Sequence, residues 1–359
     1  MIADGSVDVV IAIHDASRPI RRAVGSVLSA GRTTSALVVA HGLPSAVIEK
    51  QLVGLDWTRI TVLSFTDGIR SAGGPFNHGV EQSKAEWVTV LGSDDWFEEG
   101  AIDAMLTLAS ESGAQIVFAP LKHDDGRRVL APLRRSRRRV RLDPVKDRVF
   151  YRTAPLALIS RSVVQRENLR FHPQYRTADD LDFGLRAFGS GVAMSYCPED
   201  PSYVICADAQ QRTSTSVVDL RDTLAAIHDV LRGDWLAQQP ARLRRSAAVK
   251  LLRIHVLDAV RRRVHRAEPV GADERAIVVE VLALARRAHP AVLAPFSIAD
   301  RRCLVETARA ADDSEFRSAV AGALASGRFA STFTRNPLRN LDRESTLMRY
   351  WAYAREDRR

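Results

Sequence analysis

The run Trp87-Val88-Thr89-Val90-Leu91 is aromatic, β-branched or leucine at every position, and it stops abruptly on Gly92-Ser93-Asp94-Asp95. Such a run predicts a buried strand, and the two carboxylates then stand at its carboxyl end. In open α/β sheets, ligands bind outside the carboxyl ends of the strands, where paired carboxylates suit a divalent cation carrying a phosphate. Capping of a helix that begins near Glu98 or Glu99 is the structural alternative for Asp94 and Asp95.

The segments on either side repeat one pattern. Residues 7–14 are a β-branched run that fits a first strand buried on both faces. It ends in Asp15-Ala16-Ser17-Arg18-Pro19, where Ser17 or Asp15 can cap a helix and Pro19 suits its first turn. Ile20, Val24, Val27 and Leu28 then recur at helical spacing up to Gly31. Strand signals return at 36–40 and 60–65, with a weaker helix over 47–55 between them. The glycine-rich stretch 71–79 precedes a short helix near 80–84, and unpaired N–H groups at such a helix start can cradle phosphate. A helix over 102–109 ends at Gly113, a short strand follows at 116–119, and a strand with a short helix spans 156–164. The alternation predicts an α/β fold with a mostly parallel central sheet and helices on both faces.

A second acidic pair, Asp179-Asp180, precedes Leu181, Leu185 and Phe188, which share one helical face. The pair therefore stands at a helix N-terminus, where the dipole favours negative charge. After Thr215 the pattern changes to helices over 218–232, 240–265, 272–288, 297–311, 313–326 and 342–356. The expected organisation is a catalytic α/β domain over 1–215 and an all-α region over 216–359.

Composition narrows the partners. A net charge of +9 calls for something anionic, and the excess is arginine concentrated in two places. Residues 127–148 hold nine arginines and one lysine against Asp143 and Asp147, with no aromatic before Phe150. Single-strand nucleic-acid sites need stacking aromatics, and no helix-turn-helix, zinc or RNP pattern is present, so nucleic acid is not expected. The stretch reads either as a solvated hairpin or as an electropositive lip for an anionic acceptor or phospholipid surface. The helix over 240–265 carries Arg242, Arg244, Arg245, Arg253, Arg261, Arg262, Arg263 and Arg266, a basic surface stripe or a membrane-facing one. Cys197, Cys206 and Cys303 lack zinc or disulfide spacing. No apolar run approaches the ~20 residues of a membrane span and the first residues carry no signal-peptide pattern, so the expected place is the cytoplasm, peripheral to the inner face of the membrane.

Four blocks, in order across roughly 7–215, resemble the family 2 glycosyltransferases, whose catalytic domain has the GT-A fold. Residues 9–15 with 23–28 resemble the family's opening strand and helix. Phe76-Asn77-His78-Gly79 resembles its R-N-x-G block, Leu91-Gly92-Ser93-Asp94-Asp95-Trp96 the stretch containing the metal-binding D-x-D, and Asp179-Asp180 the E-D block of the catalytic base. The resemblance implies a nucleotide-sugar donor held by Ile13, His14, Asp15, His41, Asn77, Ser93 and Asp94. It implies Mg²⁺ or Mn²⁺ at Asp94 with help from Asp95, and Asp180 as base with Asp179 beside it. That division of labour implies inversion at the anomeric carbon, and the arginine-rich segments suggest a glycan or lipid-linked acceptor. The sequence departs from the family where Ala40-His41-Gly42-Leu43 replaces Asp-Asp-Gly-Ser, where Gly92 replaces the first aspartate of D-x-D, and where Asp179 replaces glutamate. Those departures keep open a catalytically weak or inactive GT-A scaffold. A nucleotidyltransferase is disfavoured because no glycine- and basic-rich loop follows the first strand.

Overall fold

In the computed structural model, which describes residues 5–135, 138–152, 154–198, 201–206, 219–266 and 268–357, strands form where β-branched residues are densest. The chain divides into two compact units, Met1–Thr215 and Ser216–Arg359.

The first unit runs β1 Val7–Ile13, α1 Ile20–Ala30, β2 Thr34–His41, α2 Ser45–Gln51, β3 Ile60–Phe65, α3 Gly73–Gln82, β4 Trp87–Gly92, β5 Trp96–Phe97 and α4 Ala101–Ser112. It continues through β6 Ile116–Phe118, β7 Leu121–His123, β8 Arg128–Val129, β9 Ala157–Ser160, α5 Arg161–Arg166, α6 Leu181–Gly189, β10 Met194–Tyr196 and β11 Tyr203–Ile205. Seven strands make the main sheet in the order β10-β6-β9-β4-β1-β2-β3, parallel throughout except for β9. Val9, Ile11 and Ile13 of β1 are fully buried among Ile20, Val24 and Val27 of α1, so the opening run forms the floor of the core. Because β4, β1, β2 and β3 are parallel neighbours, Gly92, Ile13, His41 and Phe65 end side by side on one edge of the sheet. Four short strands, β5-β11-β7-β8, build a second sheet; runs of two or three residues carry too little periodicity to be read in advance.

Local starts differ from the sequence reading. The helix after the carboxylates begins at Ala101 and is entered through Gly100 at φ 74°, a left-handed turn natural to glycine, so neither Asp94 nor Asp95 caps it. Helix α3 begins at Gly73, within the glycine stretch, because Gly-Gly-Pro fits a first turn whose N–H groups lack intrahelical partners. The residue preceding α1 is Pro19, and Asp15 instead accepts the Ser17 N–H at 2.8 Å.

The arginine-rich stretch is solvated only in part: Arg127 and Arg128, on the β7–β8 hairpin, are exposed, whereas the segment beyond folds around a buried carboxylate. Its centre is Asp147, fully buried, which accepts from the Arg135 guanidinium at 2.7 and 3.0 Å and from the backbone N–H groups of Arg135 and Asp143. Arg134 is buried, its guanidinium 4.3 Å from the Tyr196 ring centre. Arg152, also buried, donates to the carbonyls of Ala119, Ala131 and Leu156. Arg138, Arg139 and Arg141 stay exposed, while Ser136 and Arg137 lie outside the described residues.

The second unit holds α7 Leu220–Arg232, α8 Asp234–Gln238, α9 Ala241–Lys250, α10 Leu257–Val264, α11 Ala272–Ala288, α12 Ile298–Thr307, α13 Asp313–Leu324, α14 Arg328–Thr332 and α15 Thr346–Asp357. A π-helical turn, Leu251–Val256, joins α9 to α10. Four arginines of the basic stripe along this run are ion-paired within the unit. Arg245 meets Asp342, Arg261 meets Asp300, Arg262 meets Asp258, and Arg263 forks onto Glu274. Arg253 donates to the Glu344 carbonyl at 2.8 Å and lies over Phe296. Among the described residues no helix is long and apolar enough to cross a membrane, and all three cysteines are buried free thiols.

Candidate active site

The carboxyl edge of the main sheet collects most of the residues named from the sequence. β4 ends at Gly92, and the turn beyond it carries Ser93 and Asp94, both largely buried. Asp94 Oδ1 lies 3.2 Å from Arg18 Nη1, which also reaches Ser93 Oγ at 3.3 Å. One helical turn further along α1, Arg22 donates to the Asp94 carbonyl. His14 and Asp15 follow β1 on the same edge and are exposed. The His14 imidazole is held below its usual pKa, first by partial desolvation and then by the Arg18 guanidinium. Ile13 lies wholly in the core, so only its backbone can face a ligand.

Asp95 does not join Asp94. Its Oδ2 accepts the Tyr203 hydroxyl at 2.6 Å and its Oδ1 accepts the Cys206 N–H at 2.9 Å, which ties it to the strand β11. A Cβ at Gly92 would stand 2.6 Å from Asp95 Oδ2, so the pose of Asp95 explains why the first aspartate of a D-x-D is missing. Both Asp95 oxygens thus accept hydrogen bonds that hold the end of β4 to β11 and the residue after it. The Asn77 amide donates to the Phe171 carbonyl at 2.8 Å and accepts the Phe171 N–H at 2.9 Å, which ties α3 to the segment before Asp179. Phe76, where the family pattern has arginine, tilts on Phe171, which stacks on Phe183 of α6 at 4.5 Å.

At the end of β2, His41 Nε2 lies 2.7 Å from Asp67 Oδ1. Burial alone would raise the Asp67 pKa, but the Ile69 N–H and His41 hold it below the usual carboxylate value. A Cβ on Gly74 would collide with Asp67 Oδ2, so the glycine lets α3 start against that carboxylate. Phe65 stands between His41 and the stacked ring of His78, giving this corner an aromatic wall.

The second acidic pair is joined to the same edge through Ser71. Its hydroxyl accepts the Gly73 N–H at 3.1 Å and donates to Asp179 Oδ2 at 3.2 Å. Burial raises the Asp179 pKa, with Ser71 opposing the shift. Asp180 immediately precedes α6 and makes no side-chain capping bond to it.

A family model described as "Glycosyltransferase like family 2" matches residues 6–222. The chain belongs to that family. Among curated proteins it is similar to the poly(ribitol-phosphate) beta-N-acetylglucosaminyltransferase TarP of Staphylococcus aureus, 24% identical over 144 residues, which are 40% of this chain and 44% of TarP. It is also similar to a poly(ribitol-phosphate) beta-glucosyltransferase of Bacillus spizizenii, 19% identical over 175 residues, 49% of this chain and 27% of that protein. The chain therefore spans less than half the length of either curated relative. Among solved structures, S. aureus TarS 1-349 in complex with UDP-GlcNAc superposes with a TM-score of 0.73 at 16% identity, covering 88% of this chain and 91% of that one. The corresponding complex with UDP gives 0.70 at 16% identity, covering 88% and 90%. These likenesses establish the GT-A fold, its mostly parallel sheet and its helical continuation.

Sequence reasoning passed over Arg18, Arg22, Asp67 and Ser71. Arg18 lies in the loop before α1 and Arg22 in its first turn, so no shared helical face marked the two in advance. Asp67 and Ser71 lie in a loop, where no periodicity marks them.

Proposed function

We propose that this family 2 glycosyltransferase is an inverting, cation-assisted enzyme that moves a hexosyl unit from a uridine diphosphate sugar to a hydroxyl of a phosphate-rich envelope glycan met in the cytoplasm. The observation that carries the reading is that Asp94 after β4 and the Asp179-Asp180 pair before α6 are both tied to the carboxyl edge of one parallel sheet. The uridine diphosphate sugar comes from the ligands of the TarS complexes, and the acceptor class from the names of the two curated relatives.

Among the described residues no cluster of three His, Cys, Asp or Glu side chains forms a metal site. Asp94 supplies one carboxylate, and that donor set fits Mg²⁺ or Mn²⁺, which bind through one or two carboxylates together with substrate phosphates. A bound cation supplies Lewis-acid offset of the charge that builds on the departing diphosphate. The protein groups do the rest. His41 and Asp67, against the aromatic wall of Phe65 and His78, are placed to receive the nucleobase, replacing the acidic pair missing after β2. Asp180 takes the proton of the attacking hydroxyl, and Asp179, anchored by Ser71, sets the position of the loop that carries it. Attack on the face opposite the leaving diphosphate inverts the anomeric centre. The net charge of +9 raises the local concentration of an anionic acceptor.

A thermal-shift panel of UDP, GDP, dTDP and CDP with and without Mn²⁺ tests the reading, because a ligand bound only by the folded state raises the melting temperature. Stabilisation by UDP that grows with Mn²⁺ and is lost in Asp94→Ala is the expected result. The single carboxylate left by Gly92 and the diverted Asp95 favours an inactive scaffold as the second reading, and absence of a shift with every nucleotide would select it.

A further inference from the structure

Resting on the donor reading above, we propose that Arg18 is a movable cation which neutralises Asp94 in the nucleotide-free protein and transfers to the donor's diphosphate when the donor binds, leaving the carboxylate to the metal. Arg18 Nη1 is 3.2 Å from Asp94 Oδ1, with both side chains only about one-eighth exposed, so the carboxylate that fits the cation is already matched by a guanidinium. That guanidinium reaches Ser93 as well and stands where β1 and β4 end side by side, the edge at which α/β sheets receive phosphates. Its planar fork suits phosphate as well as it suits carboxylate.

The surroundings allow the side chain to move without disturbing its backbone. The loop is held by the Ser17 N–H on Asp15 Oδ1 at 2.8 Å, the Arg18 N–H on the Asp15 carbonyl at 3.2 Å, and the Gln51 amide on the Ala16 carbonyl at 2.9 Å. None of these bonds involves the guanidinium. Arg22, one turn on, grips the Asp94 carbonyl, so the turn carrying the carboxylate stays in place after Arg18 leaves. The two arginines thus have different duties: Arg22 fixes the backbone and Arg18 occupies the charge.

A cation must compete with Arg18 for Asp94, and a diphosphate relieves that competition. Metal and nucleotide therefore assist each other, and the assistance is reciprocal in equilibrium binding. The decisive variant is Arg18→Gln. It removes the competitor and also removes a phosphate ligand, so the affinity for Mn²⁺ alone rises roughly 3- to 10-fold while the affinity for UDP alone falls by a similar factor. Mn²⁺ is titrated by its magnetic-resonance signal and UDP by calorimetry, on the full chain. Arg18→Lys keeps the charge but not the fork, so it holds the Mn²⁺ affinity near wild type with a smaller fall in UDP affinity than Arg18→Gln, and Arg21→Gln, whose guanidinium binds the Gln51 and Val53 carbonyls, changes neither. A fall in both affinities in Arg18→Gln, or no change in either, overturns the inference while leaving the donor reading intact. Failure of the wild-type chain to bind any nucleotide overturns both.

Discussion

Tyr203 donates its hydroxyl to Asp95 Oδ2 at 2.6 Å and accepts the Gly92 N–H at 3.1 Å, which makes this buried phenol the fastener between the end of β4 and the second sheet. Burial and the neighbouring carboxylate push the Tyr203 pKa well above its usual value, so it is a hydrogen-bond donor throughout the working range. Tyr203→Phe leaves Asp95 Oδ2 short of a donor and the Gly92 N–H short of an acceptor. A loss of roughly 1.5–3 kcal/mol in unfolding free energy is expected from a bond to a charged group, measured by urea denaturation. An unchanged midpoint would show that Asp95 is held in place without the phenol.

Restoring the family's first acid by Gly92→Asp is expected to weaken the protein and not to strengthen its cation site. The added Cβ would meet Asp95 Oδ2 at 2.6 Å, and a second carboxylate would repel the first. The variant is expected to melt lower than wild type, with no gain in the Mn²⁺-dependent shift produced by UDP. A larger shift would mean that Asp95 can turn out toward Asp94.

In the helical unit, Glu274 accepts from Arg263 Nε at 2.7 Å, Arg263 Nη2 at 2.8 Å, and the N–H groups of Leu220 and Gly271. Burial alone would raise its pKa, but these four donors outweigh burial and bring it down to about 2. A depressed carboxylate stabilises the fold above its unfolded pKa, and that contribution is lost as pH falls from about 4.5 toward 2. Glu274→Gln is therefore expected to lower stability at pH 7 by about 3 kcal/mol and to flatten the acid limb of the stability profile. Parallel pH profiles of variant and wild type would place the acid sensitivity elsewhere.

The sheet was readable because β1, β2, β3 and β4 are long, apolar and spaced by amphipathic helices, and those signals are local. The diverted carboxylate was not readable. Asp94 and Asp95 are adjacent and identical in type, and what separates them is Tyr203, more than a hundred residues away, on a three-residue strand without detectable alternation. The arginine stretch misled for the same reason: Asp147 looked like a minor counter-charge, yet burial makes it the centre around which Arg135 and its neighbours fold. Charge counts see composition, whereas ion pairing depends on tertiary distance. Ser71 joins Asp179 across 108 residues of sequence, and only the folded chain supplies that contact.

The acidic pair before α6 gives the most direct test of the chemistry. If Asp180 is the base, Asp180→Asn removes the proton acceptor while nearly keeping the side chain's size and shape. Turnover is then expected to fall by about 10²–10⁴, the usual contribution of general base catalysis, with UDP affinity unchanged. Asp179→Asn acts through position: with the Ser71 hydroxyl losing its anionic partner, the loop shifts, and both turnover and the melting temperature decline. The two variants separate in the pH profile of kcat/KM. The positioning variant keeps the acid limb that protonation of the catalytic base produces, whereas the base variant loses it. Equal turnover in Asp180→Asn and wild type would remove Asp180 from the role and pass it to Asp179, whose raised pKa suits a proton acceptor nearer neutrality.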